Sequence, residues 1–230
     1  MQESSVKAWI VSPYDAAFLE ERLKSAGIQL TDFHPDFIFT YGGDGTILQA
    51  EREFPNVPKI PIKKSELCSK CEVYDPKLID IVLKKLVHKQ YRLEEKEKVE
   101  AETGGEQLIG LNEIQIHNQL PYRALRFTIQ NGQQQLGECI GDGLIAATAF
   151  GSAAYFKAVG GEEFTSGIMV ALNNCIPRLT PFKLVDTLTV KITREAANLI
   201  ADNREQMVTL RPGDTVTIRQ AGEKARFVRF

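Results

Sequence analysis

The first ninety residues alternate apolar stretches with segments of helical periodicity. Residues 6–11 and 36–41 are apolar enough to form buried strands. Between them, Leu19 and Leu23 lie four residues apart and would share one face of a helix. Strands that alternate with helices predict a parallel sheet, so we expect a Rossmann-like α/β domain over residues 1–92.

Two later segments of this half carry proline. Residues 57–62 are apolar but contain Pro58 and Pro61, which place the segment at a sheet edge or in an extended loop. Asp75 and Pro76 are typical of a helix N-cap and first helical residue. The helix that they begin is predicted to bury Leu78, Val82 and Leu86.

Beyond Tyr91 the period changes from helical to alternating. The charged run 94–102 is interpreted as a domain crossing or an exposed edge strand. Asn131-Gly132 is a strong hairpin signal. Residues 93–217 are therefore predicted to be mostly strands, whose buried positions include Leu125, Phe127, Ile129, Leu188, Val190, Ile192, Val216 and Ile218.

Charge and hydropathy narrow the classes of function. The 230 residues carry a net charge of −2, which argues against a general electrostatic nucleic-acid binder. No run approaches the roughly 18 apolar residues of a membrane span. The N-terminal residues lack the basic and apolar regions of a signal peptide. We therefore expect a cytoplasmic protein with neither a nucleic-acid partner nor a membrane partner.

The four cysteines do not predict a metal site. Cys68 and Cys71 have the Cys-x-x-Cys spacing, but Cys139 and Cys175 are isolated, so the pair supplies half of a zinc site at most. Reduced thiols are the expected state. A redox role for Cys68 and Cys71 is a minor alternative, because the pair does not follow a clear strand and begin a clear helix.

A glycine-rich turn lies between a predicted strand and a predicted helix at residues 42–46, Gly-Gly-Asp-Gly-Thr. Its glycines would allow positive φ angles and close approach of a ligand, and the helix would offer N–H groups to an anion. Strand, turn and helix together are typical of phosphate binding. The Asp44 carboxylate would repel a phosphate, so its presence indicates a chemical task, such as accepting a hydroxyl proton or holding a magnesium ion.

Two more segments combine polar and small residues. Residues 141–155 are dominated by Gly, Ala and Ser, a pattern that by itself favours close helix packing over a ligand site. Asn112 and Glu113 lie within an apolar strand, where they could meet a sugar's hydroxyl groups. Taken alone, an ordinary solvent-facing polar pair is the simpler explanation.

The three segments together resemble the NAD kinase family. Its members carry a Gly-Gly-Asp-Gly-Thr turn, an Asn-Glu pair, a Gly-Asp-Gly-Leu segment that runs into a Thr-x-x-Gly-Ser/Thr-x-Ala-Tyr stretch, and a Gly-Gly. Lipid kinases and phosphofructokinases have similar turns, but the downstream motifs separate the families. Here the motifs lie at residues 42–46, 112–113, 141–144, 148–155 and 160–161.

The resemblance implies an architecture and a reaction. It implies an N-terminal α/β domain, a C-terminal β-sandwich, and a final segment, at about residues 218–230, that returns to the first domain. The implied reaction transfers a phosphoryl group from ATP, with Mg²⁺, to the 2′-hydroxyl of the adenosine ribose of NAD, which gives NADP. Magnesium would be bound largely by substrate phosphates, so no protein metal site is expected. A homodimer or homotetramer is common in the family.

The resemblance also assigns roles to residues. Asp44 is implied as the base or orienting group, and the backbone of Gly42, Gly43, Gly45 and Thr46 is implied to hold phosphates. Lys157 occupies a position where some members have lysine, although a solvated lysine is the commoner explanation. The residues implied to contact NAD are Asn112, Glu113, Asp142, Thr148, Ser152, Ala154 and Tyr155.

Three departures from the family pattern leave alternatives open. Residues 61–71 contain no glycine where the family has a glycine-rich stretch, and Phe150 and Ala153 replace hydroxyl residues. An active kinase is the first hypothesis. A nucleotide-binding sensor or regulatory protein of the same fold, or a kinase of another small alcohol, would also fit these departures.

Overall fold

A computed structural model describes residues 6–64, 68, 70 and 76–230. The chain forms two compact units. The first consists of Met1–Glu95 with Ala225–Phe230, and the second consists of Lys96–Lys224. No helix among the described residues is long and apolar enough to cross a membrane.

The first unit is an α/β domain, as the alternating pattern predicted. In its described part, six strands form one sheet in the order β2-β1-β3-β4-β18-β5, with β1 to β4 and β18 paired in parallel. A 3₁₀ turn at Pro76–Leu78 precedes the third helix. The elements are β1 (Lys7–Val11), α1 (Ala17–Ser25), β2 (Gln29–Leu30), β3 (Phe37–Gly42), α2 (Asp44–Glu53), β4 (Lys59–Lys63), α3 (Ile79–Val87), β5 (Arg92–Lys96) and β18 (Ala225–Arg229).

Two local predictions for this unit were wrong. Strand β4 lies inside the sheet rather than at its edge. Among the described residues, β18 pairs with β4 at Lys59, and Pro61 lies outside that pair, at a position that does not need to donate to β18. In α3 the buried side includes Val82 and Leu86 as predicted, but Leu78 is 42% exposed because it precedes the helix. Asp75 lies outside the described residues.

The second unit is a β-sandwich, as the resemblance implied. Its described residues form two six-stranded sheets, ordered β10-β9-β14-β17-β6-β7 and β13-β12-β11-β8-β15-β16. The elements are β6 (Val99–Thr103), β7 (Glu106–Gly110), β8 (Glu113–Asn118), β9 (Leu125–Asn131), β10 (Gln134–Gly141), β11 (Gly143–Thr148), α4 (Tyr155–Ala158), β12 (Ile168–Asn173), β13 (Phe182–Lys183), β14 (Thr187–Arg194), β15 (Ala197–Ala201), β16 (Val208–Leu210) and β17 (Thr215–Gln220).

One hydrophobic core joins the two sheets of the sandwich. It contains all eight alternating positions that the sequence pattern predicted to be buried. The hairpin at Asn131-Gly132 is confirmed, since Asn131 pairs with Gln134 across a two-residue loop. Apolar area removed from water stabilises the unit by roughly 25 cal/mol per Å². The alternating period therefore sets both which residues are buried and which sheet face they occupy.

The charged run 94–102 crosses from the first unit to the second, as one of its two interpretations predicted, because the units divide between Glu95 and Lys96. Its first residues lie in β5, at the edge of the first described sheet, whereas its later residues lie in β6, which pairs with β17 and β7 and is not an edge strand. Glu100, in the middle of β6, is buried, and its carboxylate accepts a hydrogen bond from Arg219. Residues 143–148 form strand β11 rather than a helix; the strand is buried along its length and pairs antiparallel with β8 and β12 on its two sides.

The cysteines have two different states. Cys139 and Cys175 are free and buried in the sandwich core. Burial, with the nearby Cys175 and Glu138, raises the pKa of the Cys139 thiol to about 11. Cys68 is disulfide-bonded, so the expectation of reduced thiols is wrong for this residue. Cys71 lies outside the described residues.

Candidate functional site

The phosphate turn, residues 42–46, connects strand β3 to helix α2. Gly42 is the last residue of β3 and Asp44 is the first residue of α2, so the predicted strand, turn and helix are all present. Asp44 is half-buried, while Gly45 is exposed and Thr46 is buried. The Asp44 carboxylate, which the sequence singled out, therefore lies at the N-terminus of a ten-residue helix, where the helix dipole carries a partial positive charge.

The glycines of the phosphate turn act by close approach and not by positive φ. None of the three is among the described glycines with positive φ, and Gly43 has φ −114° and ψ −165°. A Cβ at Gly42 would lie 2.1 Å from Thr46 Oγ1. The prediction that these glycines adopt left-handed backbone was therefore wrong, and Gly42 is required because the Thr46 side chain packs against it.

The polar groups of the turn already have partners inside the first unit. The Thr46 N–H donates to Gly43 O at 3.1 Å, so in this arrangement it serves the first turn of α2. Asp44 Oδ1 accepts a hydrogen bond of 3.0 Å from the Lys70 N–H. Cys68 Sγ also lies 3.0 Å from the same oxygen. The hydrogen bond from Lys70 fixes one oxygen of the Asp44 carboxylate, whereas the sulfur of the disulfide-bonded Cys68 has no proton to donate.

In the second unit, the Asn112–Glu113 pair is buried. Asn112 immediately precedes β8 and Glu113 begins it, with exposed fractions of 7% and 2%. The simpler explanation of a solvent-facing pair was therefore wrong. Gln115 Nε2 donates to Glu113 Oε1 at 3.3 Å. Within the described part of the chain, Asn112 Oδ1 is buried without a hydrogen-bond partner, which leaves an acceptor for a ligand hydroxyl group.

The hydroxyl groups of Thr148 and Ser152 are used within the protein. Thr148 Oγ1 donates to Leu111 O at 2.6 Å and accepts from the Gly151 N–H at 3.1 Å. Ser152 Oγ donates to Ala149 O at 2.8 Å. Thr148 is fully buried and lies beside the Asn112–Glu113 pair, because its N–H donates to Asn112 O at 2.8 Å.

Asp202, for which the sequence predicted no role, lies against the same pair. Its carboxylate accepts hydrogen bonds from the N–H groups of Leu111, Asn112 and Glu113 at 2.7, 2.7 and 3.0 Å. The Asp202 N–H also donates to Glu113 O at 3.0 Å. The signal that could have found it is the Asp202-Asn203 pair, which stands where the family has Asp-Gly; Asp202 has left-handed backbone, φ 50°.

Asp142 lies at the other end of the same strand pair. Gly143 pairs with His117, whereas Ala147 pairs with Glu113. Four residues of strand, roughly 13 Å, therefore separate the Cα of Gly143 from the level of Glu113. Asp142 is held by two asparagines that the sequence did not indicate: Asn118 Nδ2 donates to Oδ1 at 3.3 Å, and Asn174 Nδ2 donates to Oδ2 at 3.1 Å.

The remaining predicted residues lie at or near helix α4. Ala154 precedes the helix and is half-buried, and Tyr155 begins it with 61% of its surface exposed. Lys157 forms an ion pair of 2.7 Å with Glu163, in which both side chains are more than half exposed. Phe150 is 8% exposed, so the bulk that replaces a family hydroxyl residue is buried.

No described group of three or more His, Cys, Asp and Glu side chains could hold a metal ion. Carboxylate oxygens are nonetheless suitable Mg²⁺ ligands, and Mg²⁺ usually keeps several waters and substrate phosphates in its coordination shell. The phosphate turn supplies one carboxylate of this kind, that of Asp44.

Solved structures of known kinases share the fold. A crystal structure of an NAD kinase from Archaeoglobus fulgidus in complex with ATP aligns with a TM-score of 0.83 at 23% identity, and covers 97% of this chain and 94% of that one. A yeast NADH kinase complexed with NADH aligns with a TM-score of 0.88 at 17% identity, and covers 100% and 84%.

Sequence comparison identifies the family. The NAD kinase of Thermoplasma acidophilum is 29% identical over 233 residues, which cover 97% of this chain and 84% of that protein. The NAD kinase of Chlorobaculum tepidum is 30% identical over 198 residues, which cover 82% and 69%. The family model of the ATP-NAD kinase C-terminal domain matches residues 111–230, more than half of the chain. The chain belongs to the ATP-NAD kinase family.

Proposed function

We infer that this protein is an ATP-dependent NAD kinase, which transfers the γ-phosphoryl group of ATP to the 2′-hydroxyl of the adenosine ribose of NAD and produces NADP. The observation that carries the inference is Asp44, a carboxylate at the first residue of α2 in a family whose members are NAD kinases. A phosphate-binding turn without chemistry has no need of that negative charge.

In the proposed mechanism, Asp44 receives the proton of the attacking hydroxyl group. Its fixed Oδ1, bonded to the Lys70 N–H, orients the carboxylate before substrate binds. The N-terminus of α2 stabilises negative charge on the phosphates. Because Thr46 N–H serves the helix, we assign phosphate contact chiefly to the backbone of Gly42, Gly43 and Gly45.

Magnesium, supplied with ATP, would neutralise the negative charge on the phosphates during transfer. In the phosphate turn, Asp44 is the residue whose carboxylate suits Mg²⁺, so we propose that most of the remaining ligands are phosphate oxygens and water.

The second unit supplies the dinucleotide contacts. Asn112 and Glu113 are proposed to bind ribose hydroxyl groups, since Asn112 Oδ1 is a buried acceptor without a partner among the described residues. Asp142 is proposed to meet the nicotinamide carboxamide, Ala154 and Tyr155 to line the dinucleotide pocket, and Ser152 to lie beside it. These assignments rest on the family motif. Lys157 is proposed as a surface residue, because its ammonium is paired with exposed Glu163.

Location and assembly are proposals from the resemblance and the composition. We propose a cytoplasmic enzyme that forms a homodimer or homotetramer and binds neither nucleic acid nor membrane. Light scattering of the purified protein tests the assembly, sedimentation with vesicles and duplex DNA tests the absence of these partners, and cell fractionation tests the location.

The reaction is tested by product mass. The purified protein is incubated with ATP, Mg²⁺ and NAD, and in parallel arms with NADH or with other nucleosides. We expect a product one phosphate heavier than NAD that comigrates with NADP. Tight NAD binding without product would instead identify a sensor or regulatory protein, and turnover of only another alcohol would identify a different kinase.

The role of Asp44 is tested by Asp44→Asn. The amide cannot accept the hydroxyl proton, so we expect kcat to fall by at least about 10²-fold while NAD binding persists. The matched control is Asp80→Asn, which removes a first-turn carboxylate of α3 whose partner is the exposed Arg22. Unchanged turnover of Asp44→Asn would exclude the assigned role.

A further inference from the structure

Three consecutive amides, those of residues 111–113, converge on one carboxylate. Asp202 Oδ2 accepts from the Leu111 N–H at 2.7 Å, and Oδ1 accepts from the N–H groups of Asn112 at 2.7 Å and Glu113 at 3.0 Å. Hydrogen bonds to a charged acceptor are stronger than neutral ones. Asp202 therefore fixes the backbone from which both proposed ribose-binding side chains project.

Thr148 fixes the carbonyl side of the same segment. Its hydroxyl donates to Leu111 O at 2.6 Å, and its N–H donates to Asn112 O at 2.8 Å. Gly151 packs so closely that a Cβ there would lie 2.2 Å from Asn112 O. The N–H and C=O groups of Asn112 thus both have partners, and its side-chain Oδ1 is the polar atom left for a ligand within the described residues.

The position of Asp202 is itself unusual. Its φ of 50° lies in the left-handed region, which non-glycine residues adopt at some cost. Gly110 leaves the space that this arrangement needs, because a Cβ there would lie 3.1 Å from Asp202 Oδ1 and 2.5 Å from Glu113 O. Packing of the sandwich core does not by itself require a strained residue whose carboxylate binds three amides.

We propose that Asp202 is a positioning residue for dinucleotide binding, and that Thr148 acts with it as a second anchor rather than as a ligand of NAD. The proposal rests on the assignment of Asn112 and Glu113 to the dinucleotide. Asp202 holds these two side chains in the geometry that the ribose requires and does not touch the substrate. Loss of the anchor weakens NAD binding and leaves ATP binding unchanged.

The test compares Asp202→Ala and Asp202→Asn with Asp186→Asn. Asparagine keeps one acceptor oxygen and tolerates left-handed backbone, but it places an NH₂ group against the Leu111 N–H. Asp186 has the same backbone conformation, φ 53°, in an exposed turn before β14. It controls for the loss of a charge and for a substitution at positive φ.

The kinetic result is a separation of two Michaelis constants. We expect the KM for NAD to rise about tenfold or more in Asp202→Ala, the equivalent of one charged hydrogen bond, and to rise less in Asp202→Asn. The KM for ATP should stay within about twofold of the wild-type value. An unchanged KM for NAD, or equal increases in both constants, would overturn the proposal.

Hydrogen exchange gives a result that does not depend on activity. The amides of residues 111–113 should exchange faster in Asp202→Ala than in wild type, and at the wild-type rate in Asp186→Asn. If wild type makes no NADP, the proposed function fails, while exchange and NAD binding by calorimetry still test the anchor. Unchanged exchange in Asp202→Ala would refute it.

Thr148→Val separates anchoring from direct contact. The substitution preserves volume and removes the hydroxyl that donates to Leu111 O. If Thr148 is an anchor, the Thr148→Val variant should show both faster amide exchange at residues 111–113 and a higher KM for NAD. A higher KM with unchanged exchange would make Thr148 a ligand of NAD and would contradict this part of the proposal.

Discussion

At the residue scale, glycines shape the proposed sites through space as well as through backbone freedom. Gly42 leaves room for Thr46 Oγ1, and Gly151 leaves room for Asn112 O. Gly143 combines both demands, since it has φ 133° and a Cβ there would lie 1.8 Å from Ile116 O. A sequence shows that glycine is present, but only the packed structure shows which atom it makes room for.

We predict that Gly151→Ala damages the Asn112–Glu113 pair. The new methyl group would displace Asn112 O, so kcat/KM for NAD should fall at least about tenfold and the free energy of unfolding should fall by about 1–3 kcal/mol. Steady-state kinetics and urea denaturation measure the two effects.

The matched control for this change is Gly222→Ala. A Cβ at Gly222 would meet no atom within 4 Å, and this exposed residue is not among the glycines of positive φ. It should keep wild-type activity and stability. If the two variants have the same kcat/KM for NAD and the same free energy of unfolding, the close approach of Gly151 to Asn112 O does not contribute to activity or stability.

Residue roles could be proposed where a motif carries them. Asp44 was singled out because a carboxylate is chemically out of place in a turn of the kind that binds phosphate. No role was predicted for Asp202, because its partners lie about ninety residues earlier in the chain. Nor could the sequence show that the Thr148 hydroxyl bonds within the protein. A threonine that binds a ligand and a threonine that bonds to backbone are the same letter in the same motif.

At the scale of elements, the β9–β10 hairpin does more than reverse the chain. Asn131 Nδ2 donates to Lys183 O at 2.9 Å, and its Oδ1 accepts from the Val185 N–H at 2.8 Å. One turn asparagine therefore also holds the connection between β13 and β14. The turn signal in the sequence predicted the hairpin but not this second contact.

Asn131→Ala should destabilise the sandwich beyond a loss of turn propensity. Two hydrogen bonds disappear and the backbone groups of Lys183 and Val185 lose their partners, so we expect a loss of about 1–3 kcal/mol in the free energy of unfolding. Urea denaturation measures the loss. Gln134→Ala, an exposed change on the other side of the same loop, should cost less than about 0.5 kcal/mol. A similar loss in both variants would mean that only the turn matters.

Element type was predicted best where periodicity was strong. The alternating strands of the sandwich and the helices α1 and α2 follow their patterns. Strand β4 and strand β11 did not, for opposite reasons. In β4 the prolines suggested an edge, but Pro61 avoids the paired positions with β18. In β11 small residues suggested a helix, but the same residues form a fully buried strand that pairs with β8 and β12.

At the scale of the whole molecule, the chain order differs from the spatial order. Strand β18, from the last residues, lies between β4 and β5 in the first sheet. Its Arg229 Nε donates to Glu94 Oε2 at 2.6 Å, across 135 residues of sequence. Hydrophobic pattern predicts that residues 227–230 form a strand, but nothing local states which sheet they join; the family resemblance was needed for that.

We predict that the returning strand is essential to the first unit. Phe227 is fully buried in β18, so Phe227→Ala should lower the free energy of unfolding by about 3–5 kcal/mol, through lost burial and the cavity that remains. Phe33→Ala removes the same side chain from a position that is 71% exposed, and should cost less than about 0.5 kcal/mol.

Because the chain has two units, denaturation should be followed by Trp9 fluorescence, which reports the first unit from β1. If the Trp9 transition is unchanged in Phe227→Ala while far-UV circular dichroism shifts, the C-terminal strand stabilises the sandwich instead, and its place in the first sheet has little energetic weight.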